Sequence, residues 1–305
     1  MAKLDFDRLR ADRAERPELV AHRLRSRRRR PLLVGDGKLM IIAADHTARG
    51  VSRTGSRAED MLNRYDLLER LSLALSRPGV DGVLATPDIL DDLALLGALD
   101  GKVVLGTVNR AGLANSSFEL DDRLTSYDAA SIVRSRLDGA KLLVRLCLND
   151  DRTAGMLAAA ARIVDEMAAA QVPILLEPFL SRWENGLLVN DLGTESVSQA
   201  IAIVSALGGT SAYSWLKIPV VLDMERVMSS TTLPCLLLGG DSKRHPDATY
   251  DSWSRALALP GVRGLVVGRS LLYPDDGDVA VHVDIAAGLV HGPHLHDTTT
   301  ASHPH

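Results

Sequence analysis

Residues 141–177 read KLLVRLCLNDDRTAGMLAAAARIVDEMAAAQVPILLE: an apolar run at 141–148, a helical pattern over 155–171, and a second apolar run at 172–177. Both runs are nearly continuous, whereas a strand with one solvated face would alternate. Parallel strands covered on both faces read in this way. A parallel pair needs a crossover between its strands, and the helical pattern supplies it.

The same unit recurs in both directions along the chain. Further apolar runs lie at 39–45 (LMIIAAD), 82–86 (GVLAT), 102–108 (KVVLGTV), 214–218 (SWLKI), 235–240 (CLLLGG) and 264–268 (GLVVG), making eight in all. Helical patterns occur at 58–76, 195–207 and 250–259. Eight strands alternating with helices predict the α/β class and a (β/α)8 TIM barrel. A doubly wound sheet is the structural alternative. Closure is favoured because no Gly-x-Gly-x-x-Gly turn follows the first run, and because polar or glycine-containing ends occur on most runs instead of at one crevice.

The barrel is assigned to 31–288. Residues 1–30 form an N-terminal helical extension, and 289–305, with five histidines and little apolar content, a disordered tail. A chain of 305 residues with 46% apolar and only 4% aromatic side chains suits a core of Leu, Val, Ile and Ala. The net charge of −4 argues against nucleic acid as principal partner, and the RSRRRR run at 25–30 is read as a solvated face. Cys147 and Cys235 both lie in apolar runs, so no disulfide framework is expected. No apolar stretch reaches membrane-spanning length. A cytoplasmic homo-oligomer acting on a small molecule is expected, with no membrane partner.

Barrel chemistry sits at the C-terminal ends of the strands. The polar residues there are Asp45 and His46 after the first run, Asn109 and Arg110 after the third, Arg145 and Asn149 at the fourth, Glu177 at the fifth, Lys217 in the sixth, Gly239, Gly240 and Asp241 at the seventh, and Gly268, Arg269 and Ser270 at the eighth. Lys217 lies within an interior strand, where desolvation favours a neutral, nucleophilic amine. The opposing reading is a rim lysine paired with a carboxylate. Gly239, Gly240 and Gly268, with Arg269 as a fork donor, suit a phosphate cradle. Asp45 and Glu177 supply carboxylates for proton transfer, or else structural partners for Arg145 and Lys217. A metal-assisted lyase or isomerase using Asp45, His46 and Glu177 as ligands, and a non-catalytic phosphosugar-binding protein, are the rival readings.

Over 39–272 the chain resembles the class I, lysine-dependent aldolases that include deoxyribose-phosphate, archaeal-type fructose-bisphosphate and tagatose-bisphosphate aldolase. The resemblance is carried by IIAADHTARG (41–50), LLEPFL (175–180), WLKIP (215–219), LLLGGDSK (236–243) and VVGRSLL (266–272). It implies Lys217 as imine former, Glu177 as general acid and base, and Asp45 near the substrate hydroxyls. Gly239, Gly240, Gly268 and Arg269 would hold a phosphate, with His46 and Asn109 as further substrate contacts. Arg145 takes the fourth-strand place where relatives carry a lysine beside the nucleophile. No metal or cofactor is implied. His46-Thr47 and GGDSK depart from the usual continuations and leave the substrate open. Within the family the chain looks most like a branch of inositol catabolism acting on 2-deoxy-5-keto-gluconate 6-phosphate.

Overall fold

A computed structural model describes residues 3–51, 60–109, 112–239 and 246–292. Its strands are β1 (Leu39–Ala44), β2 (Gly82–Ala85), β3 (Val103–Thr107), β4 (Gly139–Leu146), β5 (Ile174–Glu184), β6 (Leu187–Asn190), β7 (Ser214–Pro219), β8 (Cys235–Leu238) and β9 (Val262–Val267). Eight of them run parallel in the order β4-β3-β2-β1-β9-β8-β7-β5, and pairing of β4 with β5 closes the ring. The chain is therefore a (β/α)8 TIM barrel, and every run read as a strand contributes one stave.

The ninth strand, β6, pairs antiparallel with the long end of β5 as a hairpin above the barrel. Its turn is Asn185-Gly186, both residues in the left-handed region at φ 50° and 79°, which is what a tight two-residue hairpin requires. Trp183 anchors the hairpin by donating from Nε1 to Asp150 at 3.0 Å.

The helices are α1 (Phe6–Glu15), α2 (Glu18–Ser26), α3 (Arg64–Ser76), α4 (Pro87–Leu95), α5 (Ala129–Arg134), α6 (Arg152–Ala169), α7 (Thr194–Ser205), α8 (Met224–Met228), α9 (Pro246–Leu257), α10 (Arg269–Leu272) and α11 (Val279–His291). Local sequence starts several of them. Asn63 accepts from the Tyr65 and Asp66 amides at the head of α3, and Asp128 and Ser131 form a reciprocal capping box on α5. α11 ends at His291, which is held by Asp36 at 2.9 Å and Asp81 at 3.0 Å. Among the described residues no helix is long and apolar enough to cross a membrane.

Side-chain alternation divides the strands into two cores. Met40, Ile42 and Ala44 face the helices, whereas Leu39, Ile41 and Ala43 join Leu84, Val103, Leu105, Leu175, Leu236 and Val266 inside the barrel. The segment after α2 closes the lower end. Leu32 and Leu33 pack against the inner cluster. Arg27 and Arg29 pair with Asp138 at 2.8 and 2.7 Å, and Arg30 pairs with Asp81. These two carboxylates also accept from strand amides, Asp81 from Met40 at 2.7 Å and Asp138 from Val104 at 2.9 Å. Three arginines of the 25–30 run thus fasten the barrel floor, a correction to the solvated face expected there. Both cysteines are buried free thiols.

Candidate active site

The inward alternation that fills the barrel with apolar side chains ends, at its upper end, in charge. Asp45 follows Ala43 on β1, Glu177 follows Leu175 on β5, Lys217 follows Trp215 on β7, and Lys141 opens the inward series Lys141, Leu143, Arg145 on β4. Lys217 Nζ donates to Glu177 Oε1 at 2.7 Å. Lys141 pairs with the other oxygen of Glu177 and reaches Asp45 Oδ2 at 3.1 Å. All four residues are buried, none more than 7% exposed.

Burial alone would push the Glu177 carboxyl upward. Lys141 and, after it, Lys217 outweigh that effect and the repulsion of Asp45, and bring it down to about 2. Glu177 is therefore an anion at neutral pH, gripped from two sides. Two cations and two anions taken out of water cost several kcal/mol each in desolvation, which their pairing offsets only with good geometry. Clusters of this kind concentrate at functional sites.

Around this layer lies the rim. His46 Nδ1 is 3.9 Å from Asp45 Oδ1, and a quarter of the His46 side chain, 24%, is open to solvent. Desolvation opposes a charged imidazole, Asp45 favours one, and the cations Arg269, Lys217 and Lys141 oppose it again, leaving His46 at about 3. With the ring partly open the desolvation is incomplete, but burial and the three cations agree in sign, and His46 is neutral at pH 7. Gly268 is required by close approach: a Cβ there would lie 2.1 Å from Ala43 O and 3.1 Å from His46 Cε1. At Gly239 a Cβ would meet Val267 Cγ1 at 2.5 Å. Arg269 begins α10 directly after Gly268. Gly240, like Arg110 and Asp241, lies outside the described residues.

Two expected site residues stand elsewhere. Arg145 is turned to the loop between β3 and α5, where Nε donates to Asp122 at 2.7 Å and Nη1 to Glu119 at 3.1 Å. Glu119 also receives Arg49 at 3.5 Å and the Asn115 amide at 2.8 Å. The fourth-strand cation that touches Glu177 is Lys141, which corrects the place given to Arg145. Asn109 is fully buried, and its amide bonds both backbone groups of Leu143, donating to the carbonyl at 2.6 Å and accepting from the N–H at 3.0 Å. It extends the β3–β4 ladder beyond Thr107↔Lys141, so its side-chain amide is engaged in holding the two strands together. Among the described residues no group of three or more His, Cys, Asp or Glu converges as a metal site.

A family model described as Cgl0159-like matches residues 37–287, nearly the whole barrel. The chain belongs to the Cgl0159-like family. The crystal structure of Cgl0159 from Corynebacterium glutamicum is similar to it at 59% identity over 94% of this chain and 96% of that one, with TM-score 0.92. The Cgl0159-like barrel is also similar in fold to a Schiff-base-forming fructose-1,6-bisphosphate aldolase, at 19% identity, 89% and 99% coverage and TM-score 0.64. An archaeal fructose-1,6-bisphosphate aldolase, whose catalytic lysine is covalently bound to the carbinolamine intermediate, shows 18% identity, 90% and 100% coverage and TM-score 0.65. At these identities the likeness establishes the shared (β/α)8 barrel fold alone. No curated protein matches the chain.

Proposed function

We propose that this Cgl0159-like protein is a class I aldolase that makes or breaks a carbon–carbon bond in a phosphorylated ketose through a Schiff base on Lys217. The observation that carries the reading is the buried chain Asp45–Lys141–Glu177–Lys217 across the upper end of the barrel, with one Glu177 oxygen on each ammonium.

In the cleavage direction Lys217 gives its proton to Glu177 Oε1, 2.7 Å away, and the free amine adds to the ketose carbonyl. While the nitrogen is an uncharged carbinolamine, one of the two cations that hold Glu177 low is gone. The carboxyl can then return a proton to the departing hydroxyl, and water leaves to give the iminium. Glu177 next takes the proton of the hydroxyl two carbons from the imine carbon. The bond between that hydroxyl-bearing carbon and the carbon adjacent to the imine breaks, its electron pair flows through the adjacent carbon to the imine nitrogen to give an enamine, and the aldehyde leaves. Protonation of the enamine carbon and attack by water release the second product and restore the amine. Lys141 remains an ammonium throughout and keeps Glu177 aligned. Asp45 orients Lys141 and faces the substrate hydroxyls, while Gly239, Gly240, Gly268 and Arg269 take the phosphate.

Both Glu177 oxygens are held by ammonium groups, which favours this reading over a metal-assisted one with Asp45, His46 and Glu177 as ligands. The sequence resemblance alone supports 2-deoxy-5-keto-gluconate 6-phosphate as the first substrate to test, which would give dihydroxyacetone phosphate and malonate semialdehyde. Fructose bisphosphate, tagatose bisphosphate and deoxyribose phosphate are the competing substrates. A coupled assay for dihydroxyacetone phosphate or glyceraldehyde 3-phosphate release over this panel tests the proposal. Turnover that survives chelator and is abolished by Lys217→Ala is expected; phosphosugar binding without release from any member would contradict it.

A further inference from the structure

His46 carries a polar atom that the protein leaves without a partner. Its Nδ1 is buried and has no hydrogen bond, and Asp45 Oδ1, 3.9 Å away, is beyond hydrogen-bonding reach. Buried polar atoms are almost always satisfied, by water or ligand where not by protein. The ring is reachable, being partly open at the mouth. Its Cε1 edge lies against Gly268, which a Cβ would bring to 3.1 Å, and the charges of Arg269 and Lys217 both act on it. His46 therefore lies against the glycine turn that precedes Arg269, within electrostatic reach of the Lys217 amine.

We propose that His46 Nδ1 and Asp45 Oδ1 together hold one hydroxyl of the bound sugar phosphate, making His46 the residue that rejects substrates deoxygenated at that position. One oxygen at about 2.8 Å from each atom closes a gap of 3.9 Å. It must be a hydroxyl: Asp45 Oδ1 only accepts, so the oxygen has to donate to it while accepting from Nδ1–H. A ketone or ether oxygen meets half of this requirement. The low imidazole value supports the assignment, because a neutral ring bears one N–H and can adopt the tautomer with the proton on Nδ1. The inference rests on the proposed sugar-phosphate site but not on imine formation.

The test uses sorbitol 6-phosphate and its monodeoxy analogues, which have no carbonyl and cannot form an imine, with dissociation constants from calorimetry. For the wild-type protein, removing one particular hydroxyl should weaken binding about tenfold to a hundredfold, as for a hydrogen bond to a charged group. His46→Ala should lose a large part of that preference, keeping only what the bond to Asp45 supplies. His46→Asn, whose amide nitrogen falls near the Nδ1 position, should recover part of the preference, and His46→Gln, which reaches the Nε2 position, should not. Equal binding of all analogues by the wild-type protein, no binding of the parent polyol phosphate, or unchanged discrimination in folded His46→Ala would each overturn the inference. Loss of the Lys217 adduct with the hydroxyl preference intact would sink the Schiff base alone.

Discussion

Replacing Lys141 with Met removes one ammonium and keeps most of the buried volume. It turns the upper layer from two cations and two anions into one cation facing two carboxylates. Glu177 is held at about 2, against about 4.3 for an unperturbed glutamate, and Lys141 is the largest influence pulling it down. Some two pH units correspond to about 3 kcal/mol, in line with the roughly 3–5 kcal/mol lost when one partner of a buried ion pair is deleted. A loss of about 3 kcal/mol lowers Tm by roughly 6–12 °C in a large domain. The sign with pH follows from a depressed carboxyl. Its contribution is complete above about pH 4.3 and is lost as pH falls toward about 2. Urea midpoints for the two proteins should therefore differ most at pH 7, and the gap should close on acidification toward pH 3. kcat/KM should fall about a hundredfold or more, since Glu177 is no longer aligned, while Lys217 still forms its adduct. A variant as stable as the wild-type protein at pH 7, or a stability gap that does not change with pH, would refute the coupling.

Arg145→Met should cost about 3–5 kcal/mol in urea unfolding, because Glu119 and Asp122 are left buried without their fork. Arg145→Lys should restore only part of it, an ammonium being unable to span both carboxylates. At the opposite end of the barrel, hydrogen bonding to Asp81, opposed by burial and reinforced by Asp36, raises His291 above its ordinary value. Its stabilisation is complete below about pH 6.5 and is lost as pH rises through the raised folded value. The Tm difference between the wild-type protein and His291→Gln should accordingly be larger at pH 6 than at pH 9.

The barrel is legible in the sequence because parallel strands covered on both faces need long apolar runs, and nothing else in this chain produces eight of them separated by helical spacing. Asp45, Glu177 and Lys217 stand out for a related reason: each is a charge at an inward position where the run demands an apolar residue. The identity of the second lysine is harder to read. Lys141 and Arg145 share one strand face, four residues apart, and differ only in depth, by about 13 Å at strand rise. Depth is fixed by register with neighbouring strands, which sets Thr107 beside Lys141, and by the acids Glu119 and Asp122 on a loop that spacing cannot place. Asn109 reads as a site residue from its position after a run, although its amide extends the ladder on Leu143. The Asn185-Gly186 turn does carry a hairpin signal, with LLVN after it, but an antiparallel flap adds nothing to the barrel pattern that the runs define.

The proposed chemistry stands on the amine of Lys217. Incubation with each ketose phosphate of the panel, reduction with borohydride and peptide mass mapping read it directly. With the true substrate, a single adduct of the reduced ketose is expected on Lys217, absent in Lys217→Ala and still present in Lys141→Met. An adduct that maps to Lys141, or turnover of the same substrate with no adduct on any lysine, would contradict that chemistry.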